Sequence, residues 1–505
     1  MLLPILLAVF GTWFGFANPV LQIPGLILLF PVALTWIALR APTPGRAAAA
    51  GMWAGGLGAL GVLYWTAIPL RFYGNLPWVL ALPTPVLLSM VMGLYVAAYA
   101  WLLQPVARRL SPLGLGLFAG ALWTIIELAR GALFSGFPWL NLSAALAPWP
   151  FAIQGAAIFG AYGLAGLLCA GTAWIVAGRF FSTTSLAGIL VLAGLVIYGN
   201  FELRRPLPEA RTIHVGIVQG NVDQSLKWDP AYQKTTVDTY LELSESEINQ
   251  APVDLLAWPE TALPFYFQDG EELAGSVIRF ARRHNVPVLT GSPAYTRNGE
   301  GYSLFNRVYL VTPDGAEFPR YDKTHLVPFG EYVPFARYLP FLSKLAHGAG
   351  DFRPGQDAAP LRHGDLALGV LICYEAIFPE LAQKRVEAGA NLLVNVSNDA
   401  WFGRSSAPAQ HLGLAALRAV EQGRFLIRAT NTGISAVIDP KGRILAQSGL
   451  FTTQSLGYGE TALLTGQTPF HRLCGLIHWT CGVVAALLGA VAILSAPRRR
   501  HDRLH

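Results

Sequence analysis

Lysine and aspartate are missing from the first 200 residues, which carry seven arginines and a single glutamate. The other 58 of the 66 charged residues lie in 201–505. Only 13% of the chain is charged, against about a quarter in an ordinary soluble domain, and the deficit excludes a water-exposed globular surface for the first part. Cysteine is scarce too. Of four, Cys169, Cys474 and Cys481 fall in or beside apolar runs, which leaves no pair in the charged part and excludes a structural disulfide there. No Lys/Arg-rich run appears outside the extreme C-terminus, and a net charge of +6 on 505 residues makes no nucleic-acid surface. Zinc-ligand spacing and a phosphate-cradling glycine loop are both lacking, so no metal or organic cofactor is expected. The start has no basic segment ahead of its apolar run, so a cleaved signal peptide is not expected either.

What the first part does have is uncharged length. Runs without charge cover 1–39 (broken at "NPVLQIPG"), 47–70, 72–107, 110–126, 131–178, 180–201 and, after the charged part, 473–497. About 20 apolar residues cross a hydrocarbon core of about 30 Å. The runs predict a multi-span α-helical membrane domain over 1–200 with seven transmembrane helices, an eighth at 473–497, and a basic tail at 498–505. Arginines set the orientation. With the N-terminus in the cytoplasm, the inner loops and tail hold nine arginines and the outer short loops only Arg71 and Arg130. That places 201–472 outside the cytoplasmic membrane. Glu127 and Arg130, in "WTIIELARG", are an acid and a base three residues apart at a span end, read as a structural ion pair in preference to a lipid-headgroup site.

Residues 212–462 show an α/β rhythm. "IHVGIVQGNV", "VDLLAWPE", "VPVLTGSP", "NRVYLVTPDG", "LALGVLIC", "ANLLVNVSND", "RFLIRATNTGISAVIDP" and "GRILAQSG" read as strands, with helices at 271–284 and 410–423. Many of these strands are apolar on both faces, as in sheets covered on each side.

Cys373, in "GVLICYEAIFPE", is the lone cysteine of this domain. A free cysteine is usually a small buried hydrophobe; an unpaired one in a disulfide-permissive compartment is also a candidate reactive thiol. Its place at a strand end, ahead of a turn into helix, favours the second reading, because backbone N–H groups lie beside the sulfur. A thiol with a pKa near 8.5 needs a base or a cation. Glu260 ends the strand "LLAWPE", and Lys323 lies in the aromatic, proline-rich "YDKTHLVPFGEYVP". His325 and His411 are alternative bases that the sequence leaves open.

Together "WPE", "YDKTHLVPFGEYVP" and "GVLICYE" resemble the Glu-Lys-Cys triad motifs of the nitrilase (carbon–nitrogen hydrolase) superfamily. With the spans, and with "QGNVDQSLKW" and "NVSNDAWFG", the whole chain resembles the apolipoprotein N-acyltransferase family. The resemblance implies an αββα sandwich on the periplasmic side of a bacterial inner membrane. It implies transfer of the sn-1 acyl chain of a phospholipid, through a thioester on Cys373, to the N-terminal amine of a diacylglyceryl-cysteine apolipoprotein. Glu260 would be the base, Lys323 an oxyanion partner, and Glu331 a second carboxylate orienting Lys323 or tuning Glu260. Trp228 would contact lipid or lipoprotein, Tyr374 and Glu375 would shape the site, and Asn395 and Asn398 would hold loop backbone. Partners are then a phospholipid donor, an apolipoprotein acceptor and the bilayer, with a monomer expected. The apolar segment 335–350 would be a mobile arm at the interface. Arg404 and Ala409 depart from the pattern, where an acid and a histidine are usual. A membrane-tethered amidase is the alternative, and a transporter is disfavoured by spans with almost no ionisable groups.

Overall fold

The computed structural model describes the chain except for residues 179–181, 271, 300, 316–317, 334–350 and 496–505. The expected interfacial arm at 335–350 and the basic tail therefore lie outside the described residues. Two compact units are present. One comprises Met1–Tyr64, Thr84–Phe201 and the chain from Leu473 onward; the other comprises Trp65–Pro83 and Glu202–Arg472.

Among the described residues six helices are long and apolar enough to cross a membrane: Pro44–Phe72, Trp78–Ala107, Pro112–Ser135, Ala156–Ala177, Thr183–Arg204 and Pro469–Leu494. Two shorter apolar helices, Leu2–Gly15 and Pro24–Arg40, occupy the first uncharged run. The 131–178 run is not one helix. Short pieces at Pro138–Leu140, Leu142–Ala145 and Pro150–Ile153 precede the long helix, and each prolyl residue there removes an amide donor that a continuous helix needs. The helices Pro112–Ala132 and Ala156–Ala177 meet backbone to backbone: a Cβ at Gly120 would sit 2.6 Å from the Gly166 carbonyl oxygen. Small residues permit that approach between apolar helices.

Glu127 and Arg130 form an ion pair buried in this unit. Glu127 also accepts from Trp123 Nε1 at 3.0 Å and from the Leu142 amide at 3.4 Å, while the Arg130 carbonyl accepts from the Phe137 amide at 2.8 Å. The pair thus ties the short-helix stretch to the long helix before it. Removing one partner of such a pair strands a buried charge, at about 3–5 kcal/mol. Glu127→Gln is expected to lower the unfolding midpoint in detergent by that order, and Glu127→Gln/Arg130→Met to recover most of the loss.

The second unit is built on two six-stranded sheets. The first holds β1 (Thr212–Gln219), β2 (Leu255–Ala257), β3 (Val288–Asn298), β4 (Gly301–Val311), β5 (Arg320–Asp322) and β12 (Gln454–Ala462), in the order β12-β1-β2-β3-β4-β5. The second holds β6 (Leu361–His363), β7 (Leu366–Ile372), β8 (Leu392–Ser397), β9 (Leu426–Thr430), β10 (Ala436–Ile438) and β11 (Ile444–Gln447), in the order β11-β10-β9-β8-β7-β6. Ile217, Ala257, Leu289 and Val308 of one sheet pack on Val370, Val394 and Ile427 of the other. Helices Pro230–Gln250 and Glu272–His284 cover the first sheet, and Pro379–Glu387 and Ala407–Gln422 the second. The result is an αββα sandwich. "RFLIRATNTGISAVIDP" is two antiparallel strands, β9 and β10, and not one; its middle turns at Thr432–Ser435, where Ser435 Oγ accepts from the Thr430 amide.

Residues 65–83 belong to this second unit although the sequence places them between apolar runs. Tyr73 donates to the Ala400 carbonyl at 2.8 Å and packs edge-on to Trp401. Trp65 bonds Gln410 and packs on Phe402. Ala400, Trp401 and Phe402 lie in the turn that follows β8, and Gln410 in the first turns of the helix Ala407–Gln422.

Candidate active site

Glu260 stands just beyond β2, in a turn pressed against β3. A Cβ at Gly291 would lie 2.4 Å from the Thr261 amide nitrogen and 2.9 Å from the Glu260 Cα, so only glycine allows this approach. The Glu260 carboxylate is buried and accepts from Asn306 Nδ2 at 2.7 Å and from the Asn398 amide at 3.0 Å. Lys323 follows β5, its amide bonded to the Asn306 carbonyl at 2.9 Å. Its ammonium, also buried, lies 2.8 Å from Glu331 and 3.8 Å from Glu260. Glu331 accepts from Asn306 Nδ2 at 2.8 Å and from the Val327 amide at 2.9 Å. One asparagine amide thus bridges both carboxylates.

Burial alone would lower the Lys323 pKa, but Glu331 and then Glu260 hold it above the ordinary lysine value. Cys373 opens the turn Cys373–Ile377 directly after β7 and adopts φ +51°, a left-handed backbone. Its thiol is pushed up to about 12 by burial first and by the Glu260 charge second, with Lys323 and a hydrogen bond with Ser397 opposing. The sulfur therefore rests as a thiol within the field of both groups. Any reaction of that sulfur as a nucleophile would have to remove the proton.

The supporting residues divide. Glu375 does not face the triad. Its Oε1 accepts from the amides of Thr324 (2.8 Å) and His325 (3.1 Å) and the hydroxyls of Tyr321 (2.7 Å) and Thr324 (2.9 Å), and its Oε2 from the Ile372 amide (2.8 Å). It clamps the Lys323 loop to the cysteine turn. Tyr374 is a buried wall, edge-on to Phe378. Trp228 is half-exposed and lines a cavity with Phe265, Tyr266, Leu304 and Phe352. Asn395 donates to the carbonyls of Leu371 (2.9 Å) and Cys373 (3.4 Å), and Asn398 Nδ2 to Gln224 (2.6 Å). His325 packs on Phe378 at 4.0 Å between ring centroids. His411 engages the Cys373 carbonyl through Nε2, and Arg428 and Asp399 through Nδ1. Arg404 lies over the Phe451 ring, and Ala409 is exposed.

Two site residues escaped the sequence. Asn306 sits mid-strand in "SLFNRVYL", where a polar residue on an otherwise apolar strand was the signal available. Lys227, next to the flagged Trp228, is buried with its ammonium 3.4 Å from the Glu260 carbonyl oxygen, and burial pushes it down to about 8.

Two outcomes follow from this geometry. Hydrogen bonds to a charged group contribute about 1.5–3 kcal/mol each, so Glu375→Gln, which turns an N–H₂ against donors, is expected to lower the unfolding midpoint and slow reaction at Cys373 together. The ultraviolet thiolate absorbance lost in Cys373→Ser is expected to grow in only towards pH about 12, with no step near the free-thiol value of about 8.5. Because the folded thiol keeps its proton where an unfolded one has lost it, stability falls as pH rises through that window. Cys373→Ser is expected to flatten the fall.

Comparison with known proteins agrees with this architecture. The family description "Apolipoprotein N-acyltransferase N-terminal domain" matches residues 10–175, and "Carbon-nitrogen hydrolase" matches 214–467. An apolipoprotein N-acyltransferase of Geobacter metallireducens is 40% identical over 86% of this chain and 84% of its own. One of Nitrosomonas europaea is 34% identical over 93% and 95%. Among solved structures, a carbon-nitrogen hydrolase from Helicobacter pylori G27 is similar at 17% identity over 57% of this chain and 95% of that one, with a TM-score of 0.38. By its extended identity to such relatives, the chain belongs to the apolipoprotein N-acyltransferase family and carries a carbon–nitrogen hydrolase domain.

Proposed function

We propose that this protein moves an acyl chain, the sn-1 chain of a phospholipid, onto the N-terminal amine of a diacylglyceryl-cysteine apolipoprotein, with Cys373 as the carrier. The observation that carries the reading is the unequal sharing of one ammonium. Lys323 lies 1.0 Å closer to Glu331 than to Glu260, from 2.8 against 3.8 Å. Glu331 is thereby the anchor, and Glu260, the less neutralised carboxylate, is the one left to accept a proton.

In the first half-reaction Glu260 takes the thiol proton as Sγ adds to the ester carbonyl. The tetrahedral oxyanion is met by the Lys323 ammonium and the N–H of Tyr374, the residue after the nucleophile. Collapse breaks the C–O bond, Glu260 returns the proton to the leaving lysophospholipid, and a thioester remains. In the second half Glu260 takes a proton from the acceptor amine as nitrogen adds to the thioester carbonyl. Collapse then expels sulfur, which regains its proton from Glu260. The inner-membrane location and the periplasmic placing of the catalytic domain belong to the same proposal, supported by the arginine bias and the apolar helices; the expected monomeric state is part of it as well.

Intact-mass measurement after mixing with phospholipid vesicles is expected to show one acyl-sized adduct on Cys373, absent in Cys373→Ala. A diacylated lipopeptide should discharge it and gain the same mass. Discharge by water at the same rate, with no acylated lipopeptide, would make the protein a hydrolase instead. Removing an oxyanion donor costs about 2.7–4 kcal/mol, so Lys323→Met is expected to slow adduct formation about 10²–10³-fold.

A further inference from the structure

Beneath the nucleophile lies a buried polar cluster that the mechanism above does not use. Arg428, on β9, is fully buried and forks to three partners: Asn395 Oδ1, Asp399 Oδ2 at 2.7 Å and His411 Nδ1 at 3.0 Å. His411, on the helix Ala407–Gln422 and equally buried, places Nε2 3.1 Å from the Cys373 carbonyl oxygen. Asn395, on β8, donates to the same oxygen at 3.4 Å. A carbonyl oxygen only accepts and a guanidinium only donates. The Cys373 and Arg428 contacts are therefore satisfied together by one form of the ring, with a proton on Nε2 and the Nδ1 lone pair towards Arg428; Asp399 Oδ1, 3.3 Å from Nδ1, is then a neighbour held by Arg428 and not an acceptor from the ring. Burial and the neighbouring guanidinium both hold the His411 pKa below the ordinary histidine value, in keeping with that neutral ring. Asp399, which also accepts from Ser397 Oγ at 2.7 Å, balances the charge of Arg428.

The carbonyl so held belongs to a residue under strain. A non-glycine residue in the left-handed region costs about 1–2 kcal/mol, and Cys373 is there at φ +51°. Turning the peptide back would release the strain and swing the Cα–Cβ bond, and Sγ with it, away from Glu260 and Lys323.

We propose that His411 is a positioning residue for the nucleophile: its Nε2–H, with the ring orientation fixed by Arg428, pins the Cys373 carbonyl and so maintains the backbone turn that aims the sulfur. This rests on the reading of Cys373 as the acyl carrier. It also assigns His411 no part in proton transfer, since both ring nitrogens are engaged by backbone and guanidinium.

The test is single-turnover acylation of the full-length protein by mixed phosphatidylethanolamine–phosphatidylglycerol vesicles, followed by intact mass, across His411→Phe, His411→Asn and His411→Gln. Gln carries an amide N–H₂ to the place of Nε2; Asn reaches only the place of Nδ1. A misplacement of about 1 Å at a reacting atom costs about 10²-fold, so Phe and Asn are expected to acylate about 10–100-fold more slowly than wild type, with the dependence on phospholipid concentration unchanged. Gln is expected to recover most of the rate. A wild-type rate in Phe, or Gln no faster than Asn, overturns the inference. Should Phe fail to fold, the Gln–Asn comparison alone decides it. Failure of the underlying reading looks different: wild type itself would then take no acyl group on Cys373.

Discussion

Two carboxylates, Glu260 and Glu331, share the Lys323 ammonium, and the proposed chemistry depends on how unequally they do so. Together they carry one more charge than Lys323 offsets; Glu260 is buried, Glu331 is partly buried, and the buried Lys227 ammonium also lies in the field of Glu260. Such a trio is stable only if hydrogen bonds satisfy the surplus oxygens. Asn306 supplies one to each acid, and the amides of Asn398 and Val327 supply the rest. Burial first, and the Glu260 charge second, keep the Cys373 proton in place. A thiolate formed at rest beside Glu260 would be a second like charge; a thiol that loses its proton to Glu260 during attack is not. For the proposed reaction, the same electrostatics favours general-base activation over a standing thiolate–ammonium pair.

The site is also a joint between two sheets. Glu260, Asn306 and Lys323 come from β2, β4 and β5 of one sheet, while Cys373 and Asn398 follow β7 and β8 of the other. Bonds cross the joint at Asn398 to Glu260 and at Glu375 to the Thr324 and His325 amides. The apolar layer of Ile217, Leu289, Val370 and Val394 between the sheets sets their spacing. A sulfur and a base on different sheets keep register only as well as that layer packs.

Much of this was legible in the sequence because the strongest signals are local. The scarcity of charge over 1–200 outlines apolar helices, and strands apolar on both faces announce covered sheets. "WPE" and "GVLICYE" each put one candidate side chain at the end of a strand, and the fold sets Glu260 just beyond β2 and Cys373 directly after β7; Lys323, read in a constrained loop, follows β5. What stayed hidden is relational. β5 and β6 are three residues each, too short for a period to show. β12, "QSLGYGETA", has two glycines and alternates weakly, yet pairs with β1 along its whole length. Glu375 reads as a flanking acid of the nucleophile, but only the folded chain shows five donors converging on it. Residues 65–83 read as the join of two apolar runs, but they group with the second unit, where Trp65 and Tyr73 bond Gln410 and Ala400, more than three hundred residues later.

The placing of polar groups also accounts for Cys373 standing at a strained position just beyond β7 and not within it. At mid-strand, the side chain would point into a sheet face and its N–H and C=O would be spent on the ladder. One residue beyond the last pairing, between Ile372 and Val396, the backbone is released from the ladder but not from the core. Its carbonyl must find donors where water does not reach. His411 and Asn395 provide them, Arg428 orients both, and Asp399 compensates Arg428. Each group in that chain exists to satisfy the one before it, and the first demand in the series is made by the turn that brings sulfur out of the sheet. The polar cluster under the site is thus a consequence of where Cys373 stands.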